Sequence, residues 1–307
     1  MDVTPGARAS AHATGASVAV VTDSTACLPP DLVKRYGIGI AALNLVVDGR
    51  SYRDGIDITS QQFYQLLQRS QHPPTTAPSS PGLYLELFKQ VSGGERPIIC
   101  ITVSPAFSSM HESARAAAEL AREQLPRVRI TVLDSGTAAM AQGFVVLEAA
   151  RAAAAGCDLE GVLARAQAVK PRVRLFAMVD TLAYLARSGR VPRAAAWVSH
   201  LLQIKPIIQL LPGGGVSLAQ RTRTKSRAIK RLLGLVEEAA GGQPIHAAVM
   251  HANVPEEAVR LQAQLAERLR CLELYLTEFT PAMGAHTGPG LLGVAFYPHF
   301  DADPRAG

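Results

Sequence analysis

Ile98-Ile99-Cys100-Ile101-Thr102-Val103 is a nearly unbroken run of β-branched and small apolar residues that halts at Ser104-Pro105. Such uniformity marks a strand buried on both faces, as in a parallel sheet. Just downstream, Ser109 and Glu112 have capping-box spacing, and an alanine-rich stretch continues to about Gln124. Residues 128–133 are apolar again and end in Asp134-Ser135-Gly136. Strand, capped helix and strand make a βαβ unit, so the fold class is α/β.

The same rhythm extends in both directions. Upstream, residues 17–21 form a strand ending in Thr22-Asp23-Ser24-Thr25, and residues 43–47 form another, closed by the turn pair Asp48-Gly49. Thr59 and Gln62 open a helix that runs to about Arg69. Residues 72–81 hold four prolines, which reads as a rigid loop outside any regular element. Downstream, a long alanine-rich helix reaches Gly156, and the alternation then restarts. The expected organisation is a disordered tail over residues 1–16 and two α/β domains over 17–155 and 156–300. The first domain has a largely parallel sheet.

In the second domain, strands are expected at 174–179, 245–250, 272–279 and 291–296, with helices at 181–188, beyond Pro192, at 225–240 and from Pro255. Residues 204–211 and 216–219 flank Pro212-Gly213-Gly214-Gly215, a hairpin pattern. Residues 284–290 read as a glycine-rich loop leading into the last strand.

Composition narrows the function. Apolar residues make up 48% and charged residues 18% of 307, which suits a globular protein rather than a disordered one. No run approaches the ~20 apolar residues of a membrane helix, and residues 1–16 lack the apolar core of a secretory signal. A cytoplasmic protein with reduced thiols is the expectation. Four cysteines at 27, 100, 157 and 271 form no CxxC pair, and no HxxxH or HxH occurs, so no metal site is expected. Cys100 reads as a small core residue. Dinucleotide and Walker loops and the GxSxG elbow are all missing.

Three segments concentrate hydroxyls and glycines where open α/β sheets hold their ligands. Thr75-Thr76 sits among prolines, as a ligand loop or a solvated linker. Residues 104–109 join a buried strand to a helix, where the serines bind an anion or merely cap the helix. His286-Thr287-Gly288-Pro289-Gly290 offers an imidazole and close backbone approach, or a turn with a structural histidine. No Lys or Arg occurs within the three, which favours a single carboxylate over a full phosphate. Asp23, Asp54 and Asp134 are either bases or loop braces. Residues 221–231 are basic but carry no interleaved aromatics, so no nucleic-acid partner is expected.

Taken in order, the chain resembles the DegV family, which includes the fatty-acid-binding subunits of bacterial fatty-acid kinase. The segments that carry the resemblance include Thr22-Asp23-Ser24-Thr25, Asp54-Gly55-Ile56-Asp57, Thr75-Thr76-Ala77-Pro78-Ser79 and residues 104–114. Asp134-Ser135, residues 184–190, Ile204-Lys205-Pro206-Ile207, Arg221-Thr222-Arg223 and residues 286–290 continue it. The resemblance implies a long-chain fatty acid buried between two domains, with its carboxylate presented to a separate ATP-dependent kinase for acyl-phosphate formation. There would be no activity alone, no cofactor and no stable membrane insertion. It places Thr75, Thr76, Ser108, His286 and Thr287 at the fatty acid and Arg190 and Arg221 toward the kinase subunit. The rival is a stand-alone acyl hydrolase or transferase using Ser108 and His286. Where the family has Leu-Ser-Gly-Thr this chain has Phe107-Ser108-Ser109-Met110, and Ala77 replaces the usual Gln. These departures question the geometry of the head site.

Overall fold

The computed structural model describes residues 17–191, 194, 197 and 204–300. The tail over residues 1–16 and most of the helix expected beyond Pro192 lie outside the described residues.

The first sheet has strands β1 (Ala19–Asp23), β2 (Gly39–Ala41), β6 (Ile98–Thr102) and β7 (Ile130–Asp134), in the order β2-β1-β6-β7. Every pairing in it is parallel, as the buried apolar runs imply. Beside it, β3 (Asn44–Val47), β4 (Arg50–Arg53) and β5 (Thr75–Ala77) form a small antiparallel sheet in the order β4-β3-β5. Asp48 and Gly49 join β3 to β4 with φ of 45° and 79°, the positive values a two-residue hairpin turn requires.

Strand β5 corrects the reading of residues 72–81 as a loop throughout. The prolines at 73, 74 and 78 stop just short of it, so Thr75, Thr76 and Ala77 keep their N–H groups and pair with β3 at an edge.

The second sheet runs β10-β9-β8-β13-β11-β12, built from β8 (Arg174–Met178), β9 (Lys205–Leu211), β10 (Gly215–Thr222), β11 (Ile245–His251), β12 (Cys271–Glu278) and β13 (Leu292–Pro298). Only β11 and β12 are parallel. The chain's final strand, β13, inserts between β8 and β11 and runs against both. It is buried on both faces, so its sequence carries no trace of that direction.

Among the helices, α1 (Pro30–Tyr36), α2 (Ser60–Arg69), α3 (Pro81–Ser92) and α4 (Met110–Gln124) belong to the first half. Helix α5 (Ala139–Ala154) is buried almost all round, because it packs on β1 and β6 on one side and on β13 on the other. Helix α6 (Leu159–Val169) lies against α5 and β6. One core thus joins Val20 and Ile99 of the first sheet through Phe144 to Ala177 and Ala295 of the second. Helices α7 (Ala183–Ser188), α8 (Lys225–Ala240), α9 (Pro255–Arg268) and α10 (Pro281–Thr287) complete the second half. On α8, Ala228, Leu232, Leu233 and Val236 are buried while Arg227 and Lys230 face out.

Candidate functional site

The C-terminal ends of β1 and β6 open toward the second sheet. Between them lies a cavity, partly open to solvent. Its walls are apolar: Leu43, Val103 and Phe107 on one side, Leu175, Ala177 and Ile208 on the other. Few polar side chains reach it, and each arrives by a different local device.

Thr76 comes from β5. Side chains alternate along a strand, so Thr76 turns into the cavity and Thr75 turns out and is exposed. His286 lies in the last turn of α10, which corrects the reading of residues 284–287 as loop; only Gly288, Pro289 and Gly290 are irregular. Gly288 ends this helix at φ 74°, and a Cβ there would sit 2.2 Å from the Tyr184 ring. Thr76 Oγ1 and His286 Nε2 are 2.8 Å apart. Burial, and then the charge of Arg190, push the imidazole down to about 4, so it is neutral at physiological pH. When a neutral imidazole donates from Nε2, the Thr76 hydroxyl is free to donate onward.

Ser108 follows a tight turn in which Phe107 N and Ser108 N both donate to Ser104 O, at 2.9 and 3.3 Å. Its half-buried hydroxyl lines the cavity and has no protein partner among the described residues. The expected capping box at Ser109 and Glu112 is absent. Ser109 stands at φ −80°, ψ 20° and makes no side-chain cap bond, whereas the extended Thr59 at ψ 160° forms its box with Gln62 in full. A capping hydroxyl reaches the N3 amide only from extended backbone. The serines of this loop are therefore not spent on the helix.

The departures from the family pattern, Ser109, Met110 and Ala77, are not among the lining residues of the cavity. Ser109 needs no positive φ. Met110 is fully buried, turned away from the cavity, and its sulfur accepts from Ser79 N at 3.1 Å. Ala77 is exposed on β5.

Arg190 was expected outside the head segments, yet it lines the cavity at its exposed mouth, with no carboxylate partner among the described residues. Arg221 lies instead at the exposed end of β10 and does not line the cavity. Thr287 lines it, but its hydroxyl already donates to Met283 O at 3.0 Å.

Thr25 is a lining residue that the reading of the sequence gave no role. Its signal was a hydroxyl just past the end of the first strand, where such sheets bind ligands. The aspartates are braces. Asp23, raised by burial, accepts from Val103 N at 2.8 Å; Asp54 accepts from Ala282 N at 2.8 Å, and Asp134 from Gly136 N at 2.6 Å. Among the described residues, no group of three or more His, Cys, Asp or Glu is placed to hold a metal.

Fold and cavity define a class: two-domain α/β proteins that close an apolar chamber between unlike sheets and admit few polar groups to it. A family model described as uncharacterised protein, DegV family, matches residues 17–299, and the chain belongs to that family. It is 37% identical over 279 residues to a DegV domain-containing protein of Streptomyces coelicolor, spanning 90% of this chain and 97% of that one. A DegV-family structure from Thermus thermophilus, described by its fatty acid binding, superposes with a TM-score of 0.84 at 29% identity, covering 92% of this chain and 99% of that one. The crystal structure of DegV from Bacillus subtilis, a fatty acid binding protein, gives 0.82 at 31% identity, covering 93% and 100%.

Proposed function

We propose that this protein binds a long-chain fatty acid in the cavity between its sheets and presents the carboxylate to a separate ATP-dependent kinase. The observation that carries the reading is a chamber walled by aliphatic side chains whose uncommitted polar groups are the Ser108 hydroxyl, the Thr76–His286 pair and Arg190. That is an inventory for one carboxylate and a long tail. Burying about fifteen methylenes at ~0.8 kcal/mol each supplies roughly 12 kcal/mol gross, of which binding and ordering take back several. A handful of hydrogen bonds at the head is therefore enough.

In this reading Ser108 and Thr76 donate to the carboxylate, His286 orients Thr76, and Arg190 supplies the compensating charge at the mouth. Arg221, out on β10, faces the kinase, as the resemblance implies. The hydrolase rival has less support: His286 is hydrogen-bonded to Thr76, and no hydrogen bond joins it to Ser108. A serine nucleophile needs its base within that reach.

Organic extraction of purified protein followed by mass spectrometry tests the binding. A stoichiometric long-chain fatty acid is expected, and a folded protein that takes up none when offered lipid refutes the proposal. Arg221→Ala tests presentation: retained lipid with lost partner-dependent phosphorylation is expected, and full phosphorylation removes the kinase-facing role.

A further inference from the structure

The registers of the second sheet give the cavity an axis. Leu291, a buried lining residue, adjoins Leu292, which pairs with Met178 at the end of β8. Moving back along β8, the next cross-strand pair on the lining face is Ala177 with Ile208, and then Leu175 with Leu210. From the level of Met178 to Leu175 is three residues, or ~10 Å of strand.

Beyond Leu175 and Leu210 lies a second hollow, and those two leucines line both. Its character is different. Ser135, Gly136, Lys170 and Gly213 are among its walls, and Lys170 Nζ donates to the carbonyl of Asp134 at 2.7 Å. Past the two leucines the lining is mixed: an ammonium and backbone amides join Pro171, Val173, Leu211 and Pro212. A methyl terminus gains by burial up to that point and loses by displacing water from polar groups past it.

We infer that Leu175 and Leu210 form a partition that sets the longest acyl chain the first chamber accepts; this rests on the fatty-acid reading of that chamber. Leu210 is the more adaptable of the two, being half-buried and packed against cores on both sides of the partition, whereas Leu175 is fully buried.

The test is competition binding with straight-chain saturated acids stepped by two carbons, on the native protein, Leu210→Ala and Leu210→Phe. Opening the partition should raise the affinity for chains just above the native optimum by on the order of tenfold for each two methylenes newly buried. Leu210→Phe should shift the optimum the other way. Opposite shifts in the two variants support the partition. An unchanged length profile in variants whose far-UV spectra match the native protein overturns it while leaving fatty-acid binding intact. A native protein that binds no acid of the series overturns the underlying reading, and the partition with it.

Discussion

Two polar clusters in this molecule differ in how many of their donors and acceptors are already matched. At the head of the cavity, the Ser108 hydroxyl is unmatched and Arg190 has no carboxylate partner among the described residues. Where α5 and α6 meet the second sheet, everything is paired. Glu148, 2% exposed, accepts from Arg151 Nη1 at 2.7 Å, Arg165 Nε at 2.7 Å and the Tyr297 hydroxyl at 2.9 Å. Arg151 bonds on to Glu273, which also holds His246 Nδ1 at 2.7 Å and the Tyr275 hydroxyl at 2.9 Å. Two carboxylates and two guanidiniums cancel. A matched cluster has nothing left to offer a ligand and serves as a clasp between helices and sheet. An unmatched one beside an apolar chamber has donors left for a ligand.

The largest effect expected from this contrast is on stability. Glu148→Ala leaves two half-buried guanidiniums short of their shared carboxylate, and breaking a buried pair from one side costs about 3–5 kcal/mol. A drop in Tm of roughly 10 °C is expected, with fatty-acid retention unchanged at low temperature. If the variant melts with the native protein, the clasp is not structural; if it melts normally but loses lipid, the roles of the two clusters are reversed.

The head cluster should answer in the opposite sense. Ser108→Ala removes one charge-assisted hydrogen bond and should weaken fatty-acid binding by about 1–3 kcal/mol, with the unfolding midpoint of the lipid-free protein nearly unmoved. Arg190→Ala should weaken binding as well, with the loss shrinking as salt rises, because its side chain is exposed at the mouth. Calorimetric titration and thermal melts on the same samples separate the two effects. Equal loss of stability and binding would make Ser108 a brace.

Acid should strip the two clusters in sequence. His286 sits near 4 in the folded protein against 6.5 in the unfolded chain, so between those values the unfolded state binds more protons and stability falls as pH falls. Glu273 is burdened by burial, but its bonds to His246 and Arg151 prevail and hold it at about 2, against an ordinary 4.5. Its contribution is full above 4.5 and lost as pH drops toward 2. Melting temperatures should therefore decline in an upper window set by His286 and by His251, which burial also lowers, and in a lower one set by the clasp. His286→Asn should make the upper decline shallower and leave the lower one, and so should bound fatty acid, whose carboxylate favours the charged imidazole. A native profile flat from 6.5 down to 4 contradicts this.

How much of this was legible in the sequence follows from the same contrast between local and distant partners. The parallel core strands, the Thr59 box and the Asp48-Gly49 turn depend on neighbours a few residues away, and each stands as read. The 104–109 loop drew notice because hydroxyls at a strand end are a local feature, and the structure brings its Ser108 to the cavity. The direction of β13 was not legible, because a strand buried on both faces looks the same whichever way its partners run. Nor could spacing show that Arg190 enters the mouth, or that Ser109 declines the cap its sequence advertises: loop backbone decides both. The clasp joins Glu148 to residues more than a hundred positions away, so no local pattern announces it.

The smallest effect expected is the one that discriminates most finely, because it contrasts neighbours of identical chemistry. Family resemblance places Thr75 and Thr76 alike at the fatty acid, whereas the structure turns Thr76 inward and leaves Thr75 exposed. The register fixes this: Leu45, fully buried, pairs with Thr76, and the half-exposed Val46 pairs with Thr75. Slipping β5 by one residue would exchange the two threonines and expose the face that packs on α10. Thr76→Ala should therefore weaken binding through both its own hydroxyl and the loss of a partner for His286, and Thr76→Ser should restore most of it. Thr75→Ala should leave affinity within experimental error, since an exposed hydroxyl on an edge strand has water as its alternative partner. Titration of all three variants with one fatty acid decides the matter. If Thr75→Ala proves the damaging change, β5 shifts register when the ligand enters, and the head site is assembled by binding instead of standing ready for it.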